Sequence, residues 1–206
     1  KGIGHTEFKD SELGRIPKNW IIKNFSGVTS LIKSGLSRKL SHQDIGLPII
    51  NSGNITKDGL DTTELKYWYL TDPQGENTEN YFLDEGDILL NFINSISQIG
   101  KSCIFRDIGR STIYTTNIFR IKSNKCFSSK FLFLLMNHDK FQKEIQLITK
   151  PAVNQASFTK DELLKIRVQV PPIEEQKKIE NIIFSLDDEI STITKKFNKY
   201  FFLKKS

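Results

Sequence analysis

Over residues 179–200, apolar side chains recur at alternating steps of four and three: Ile179, Ile183, Leu186, Ile190, Ile193, Phe197 and Tyr200. Held for about three heptads, this a/d spacing is the seam of a coiled-coil helix. Pro171 and Pro172 stand just ahead of it, where fixed φ and a missing N–H suit the approach to a helix. Glu174 and Glu175 follow, complementing the positive end of the helix dipole. The segment predicts a helix of about 30 residues, on the order of 45–50 Å long.

Its charges are sorted as well. Residues 174–189 carry six acids and only Lys177 and Lys178, whereas Lys195, Lys196, Lys199, Lys204 and Lys205 follow Ile190 without an acid among them. Two parallel copies would set like charge on like, while antiparallel copies lay each acidic half on a basic half. The pattern therefore predicts antiparallel pairing through the seven seam residues. The alternative is a solitary amphipathic helix folded back on its own domain, and the scarcity of apolar residues off the narrow seam speaks against it.

The stretch before the helix is long enough for one sizeable core, so the chain divides into a body, 1–172, and a helical arm, 173–206. Ile16 and Trp20 are placed to anchor the start of the chain on that core. Apolar runs rich in β-branched and aromatic residues lie at 47–51, 88–93, 102–105, 113–121 and 166–170, separated by turn sequences such as Lys57-Asp58-Gly59 and Asp84-Glu85-Gly86-Asp87. They predict a β-meander or barrel-like sheet. Over 129–148 the period turns helical, with Phe131, Leu132, Leu135, Met136, Phe141, Ile145 and Ile148 as the packed face. The expected class is α+β: a β-rich domain with short helices, then one long helix.

Composition narrows the function. The net charge is +6, and the arm's seven lysines nearly balance its six acids, leaving most of the excess on the body. A basic body suits a polyanion, nucleic acid before membrane. No run approaches a membrane span and no apolar leader opens the chain, so a soluble, cytoplasmic protein is expected. Cys103 and Cys126 lack CxxC spacing and read as reduced core or semi-buried thiols; His5, His42 and His138 lie too far apart to suggest a metal site and read as surface or capping residues. No Gly-rich phosphate loop follows a strand. An Asx-Pro-Pro-aromatic turn is also absent, since Pro171-Pro172 lies between Val170 and Ile173. A nuclease reading of Asp84, Asp87 and the Glu175-x-Lys177 pair is set aside because Glu175 has a structural use at the helix start. The chain is expected to be no enzyme and to hold no cofactor or metal.

Between the β-runs stand amides, small hydroxyls and cations: Lys33, Arg38 and Lys39; Asn51, Ser52 and Asn54; Asn91, Asn94, Ser95, Gln98 and Lys101; and Lys150, Asn154 and Gln155. Asn and Gln can bond adenine bidentately, Lys and Arg can bond guanine or phosphate. These are the candidate DNA contacts, although each Asn or Ser alone is also ordinary turn chemistry.

Several segments together resemble the specificity subunit of type I restriction–modification systems: Gly14-Arg15-Ile16-Pro17-Lys18-Asn19-Trp20, Gly86-Asp87-Ile88-Leu89-Leu90-Asn91 with Ile99-Gly100-Lys101, and Val170-Pro171-Pro172-Ile173-Glu174-Glu175-Gln176-Lys177-Lys178-Ile179 running into the heptads. The resemblance implies one repeat unit, with one target-recognition domain and one conserved helix. Family members usually carry two of each and read the two halves of a split DNA site. It implies double-stranded DNA, methyltransferase subunits and a restriction subunit as partners, with S-adenosylmethionine, ATP and Mg on those partners. The unit would be either a natural half-subunit working as an antiparallel homodimer or part of a two-repeat protein. A spacer of 45–50 Å corresponds to roughly 13–15 base pairs. The competing reading is a protein-interaction module that docks through its helix.

Overall fold

The computed structural model describes residues 4–153 and 155–203, with side chains as far as Phe197. Asn154 and the side chain of Tyr200 lie outside the described residues. The chain starts as a hairpin of β1 (Phe8–Lys9) and β2 (Ile16–Pro17), followed by β3 (Ile21–Asn24) and β4 (Thr29–Ser34). Next come β5 (Gly46–Ile50), the small hairpin of β6 (Ile55–Thr56) and β7 (Gly59–Leu60), and β8 (Lys66–Tyr69). Then follow β9 (Ile88–Asn91), β10 (Ile93–Asn94), β11 (Ser102–Ile104), β12 (Ile113–Tyr114) and β13 (Ile118–Ser123). Helices α1 (Ser129–Asn137) and α2 (Asp139–Ile148) lead to β14 (Lys150–Pro151), β15 (Ala156–Ser157), α3 (Lys160–Lys165), β16 (Arg167–Val170) and α4 (Ile173–Leu203). The α+β class with a long final helix is as expected.

A central antiparallel sheet of order β11-β9-β13-β4 organises the body. The two-residue period of its strands sorts their side chains. Ile88, Leu90, Phe119 and Ile121 meet Leu132, Met136 and Phe141 in one core, while Leu89, Cys103 and Ile118 meet Ile50, Ile55 and Tyr114 in a second. Both faces are covered, which is why 88–90 is apolar without interruption. Arg120 is also buried there, and its Nε donates to Asp87 Oδ2 at 2.5 Å.

Two expectations are corrected. The sheet is not a meander, since its neighbours are not consecutive and the run 113–121 is two strands: β12 pairs parallel with β5, while β13 joins the central sheet. The chain turns between them, with Ile118 N–H bonded to Thr115 O at 3.1 Å. Gly35 allows the crossing of the two sheets, because a Cβ there would lie 2.1 Å from Tyr114 O. The helical stretch 129–148 is likewise two helices. His138 adopts an extended conformation between them and caps α2, its Nδ1 accepting from Lys140 N at 3.2 Å, the second of the two roles, surface or capping, expected of it.

β16 pairs antiparallel with β3, setting Val170 opposite Ile21, and so brings both ends of the body to the foot of α4. There Trp20 Nε1 donates to Glu175 Oε2 at 3.0 Å and His5 Nε2 lies 2.6 Å from Glu175 Oε1. Gln176 is fully buried, accepting from Ser128 N at 3.0 Å and donating to Pro171 O at 2.9 Å, and Glu180 accepts from the Ser128 hydroxyl. Ile179 packs on the first core, and the Phe184 ring stacks on Phe133. About three turns are thus docked. From Ser185 to Phe197 every side chain is exposed, Leu186 at 52%, Ile190 at 61%, Ile193 at 65% and Phe197 at 66%. The helix is therefore not folded back along its own domain: Ile179, at the start of the seam, packs on the body, while Leu186, Ile190 and Ile193 are exposed.

Candidate nucleic-acid interface

Two loops converge beside the end of the central sheet. After β5, Asn51 caps a short 3-10 turn, Ser52–Asn54, through a reciprocal pair: Asn51 Oδ1 accepts from Gly53 N at 2.9 Å and Asn54 Oδ1 accepts from Asn51 N at 3.0 Å. Asn54 is buried and spends its amide N–H groups on the carbonyls of Asp61 and Glu64. Asn91, at the end of β9, is fully buried and donates to Ser52 O at 3.4 Å. Its Oδ1 finds no partner among the described residues. Asn91 and Asn54 are therefore struts behind the loops, with little or no surface to offer a ligand.

The second loop follows β10. Asn94 Oδ1 accepts from Ser95 N at 2.8 Å, and Ser95 O takes the N–H groups of Gln98 and Ile99. Gly100, at φ +81°, closes the loop against α2, where a Cβ would meet Ile145 Cγ2 at 2.9 Å and where Gln142 Nε2 donates to Gly100 O at 3.1 Å. Helix α2 thereby buttresses the segment that carries Gln98 and Lys101. The two loops face each other across an open groove of about 510 Å³, lined by Ser52, Asn94, Gln98 and Lys101 together with Gly53 and the hairpin residues Ile55, Thr56, Lys57 and Asp58.

Four of the fourteen candidate contacts thus meet in one groove. Ser95 is exposed on the same loop, and Lys150 and Gln155 are exposed nearby, because β15 pairs with both β10 and β14. Lys150 Nζ lies 2.6 Å from Glu162 Oε1, which holds the Glu162 carboxyl down to about 2, with further help from the Thr159 N–H and hydroxyl. Lys33, Arg38 and Lys39 line no part of the groove. Lys33 donates to Asn80 O at 3.0 Å and sits over the Tyr81 ring. Arg38 forks onto Asp72, whose side chain is wholly buried and also accepts from Trp68 Nε1 at 3.1 Å. That guanidinium holds the Asp72 carboxyl far below the usual range, so Arg38 is tied into the body. Lys39 is exposed.

The hairpin wall was missed because Lys57-Asp58-Gly59 reads as turn chemistry and nothing more. The available signal was a charged turn two residues after the polar run Asn51-Ser52-Gly53-Asn54.

A β-rich body with a polar, cationic groove, and a helix that projects from it with Leu186, Ile190 and Ile193 exposed, is the arrangement of a recognition module. The chain belongs to the type I restriction modification DNA specificity domain family, whose profile matches residues 17–199. It is 33% identical over 189 residues to the putative type I restriction enzyme MjaX specificity subunit of Methanocaldococcus jannaschii, covering 91% of this chain and 44% of that protein. It is 19% identical to the EcoKI specificity subunit of Escherichia coli K12, over 88% of this chain and 39% of that one. The HsdS subunit crystal structure from Thermoanaerobacter tengcongensis shares the fold with a TM-score of 0.62 at 16% identity, over 91% of this chain and 42% of that one. The chain thus spans less than half the length of the relatives it matches.

Proposed function

We propose that this chain is the sequence-reading unit of a type I specificity subunit. It binds one half of a bipartite DNA site through the groove and positions an adenine-N6 methyltransferase, and in a larger complex a restriction subunit, which carry the chemistry and its cofactors. The observation that carries the reading is the convergence of Ser52, Asn94, Gln98 and Lys101 from two separate loops on one groove. The family to which the chain belongs supports it. In the same reading the exposed half of α4 pairs antiparallel, with a second copy or with the second helix of a longer subunit.

The experiment is a binding titration on duplex DNA at several salt concentrations, against a Lys101→Ala variant. Phosphate contacts give a steep log-linear loss of affinity with salt, and sequence reading gives a tighter class of sites inside a random pool. Binding without salt dependence or sequence preference would refute the proposal.

A further inference from the structure

The groove has a second wall that ordinary electrostatics would not place on a DNA-binding face. It is the β6–β7 hairpin, whose turn exposes Lys57 and Asp58. The turn is held by its own groups: Thr56 Oγ1 donates to Gly59 O at 2.9 Å and accepts from Asp58 N at 3.2 Å, and Gly59 takes φ +118°. Neither charged side chain is needed for that. The Asp58 carboxylate makes no hydrogen bond or ion pair among the described residues, even though Lys57 and Lys101 line the same groove.

A free carboxylate beside phosphates weakens binding to any duplex, and it has no proton to donate. The groups on base edges that it can meet favourably in the major groove are exocyclic amines, N4 of cytosine and N6 of adenine, and that groove has the width to admit a two-stranded ribbon such as this hairpin. A surface built for affinity alone would leave such a group out. One placed at a ribbon tip, opposite Gln98 and Asn94, trades general affinity for discrimination.

We infer that Asp58 is a base-reading residue, accepting a hydrogen bond from a cytosine or adenine amine in the half-site while the hairpin enters the major groove. The inference rests on the DNA-reading function proposed above. It extends the reading surface to a segment outside the candidate contacts and assigns the bases read there to the amine-bearing pair.

The test is enrichment sequencing from a duplex pool with randomised positions, using the full chain as wild type, Asp58→Ala and Asp58→Asn. Asp58→Ala should lower the preference for cytosine or adenine at one position per half-site by about tenfold and bind random duplex several-fold more tightly. Asp58→Asn keeps an acceptor oxygen and should retain part of the preference. Because the turn does not use the carboxylate, both variants should melt with the wild type. A wild type that enriches a motif while Asp58→Ala enriches the same one overturns this inference and leaves the proposed function standing. So does a loss spread evenly over all positions, which would mark a structural role. A wild type that enriches nothing overturns the proposed function, and the inference with it.

Discussion

Substitution of Ile190 by Asp should abolish pairing of the arm while leaving the body intact. The seam can be paired antiparallel in registers that differ by one heptad. Setting Leu186 opposite Phe197 and Ile190 opposite Ile193 puts Asp187 and Asp188 at the level of Lys196 and Lys195 of the other copy. A slip of one heptad one way would set Asp188 against its own counterpart and Asp187 against Glu189, and the other way would set Lys195 against its own counterpart, like charge on like in both, so charge selects the first register. In it Ile190 and Ile193 form the two layers that flank the dyad. Ile190 is 61% exposed, and full burial of such a side chain contributes about 1.5–3 kcal/mol. Covering the exposed part is then worth about 1–2 kcal/mol per copy, and twofold symmetry counts it twice. Adding a carboxylate that has no partner beside Ile193 brings the loss to at least about 3 kcal/mol, more than 100-fold in Kd. Sedimentation equilibrium over the micromolar range reads that shift directly. Since the side chains from Ser185 to Lys196 are exposed, the melting midpoint of the variant should match that of wild type diluted to its monomer. A wild type that is monomeric throughout, or an Ile190→Asp variant that pairs like wild type, refutes the reasoning.

Three further outcomes follow from the body. Asp87→Ala strips the buried Arg120 guanidinium of its 2.5 Å partner and should cost about 3–5 kcal/mol in urea denaturation. Glu162 is depressed to about 2 from an ordinary value of 4.5, so its contribution to stability is present above the ordinary value and fades as pH falls toward 2; the gap in urea midpoint between wild type and Glu162→Gln should shrink across that window and hold constant at higher pH. Burial pushes the Cys103 thiol up to about 12 while Cys126 is exposed, so alkylation of the native protein at mildly alkaline pH should add one label by mass spectrometry, and two after denaturation.

Much of the arm was legible in the sequence because a heptad seam is a one-dimensional pattern: its period, its proline boundary and its charge sorting all lie in one segment. Its docking was not. Gln176 and Glu180 look like ordinary polar helix residues, and their burial depends on Ser128, about fifty residues away in sequence. The same limit governs the groove. Asn51, Asn54, Asn91 and Asn94 are chemically alike, yet two of them are buried struts, because the side of a loop on which an amide lands is decided by strand pairing and not by composition. Arg38 reads as a free cation until the fold brings Asp72 to it. The break at His138 escaped because two short helices can share a continuous apolar period when both pack on one core.

The central claim, that this chain reads half of a split DNA site for a methyltransferase, is tested most directly by co-expressing it with a type I methyltransferase subunit of its own system in a methylation-free host. N6-methyladenine is then mapped across the genome by single-molecule sequencing. Methylation confined to one motif of two inverted half-sites with an unread gap is the predicted result. A continuous motif without a gap, or methylation independent of sequence, would contradict it.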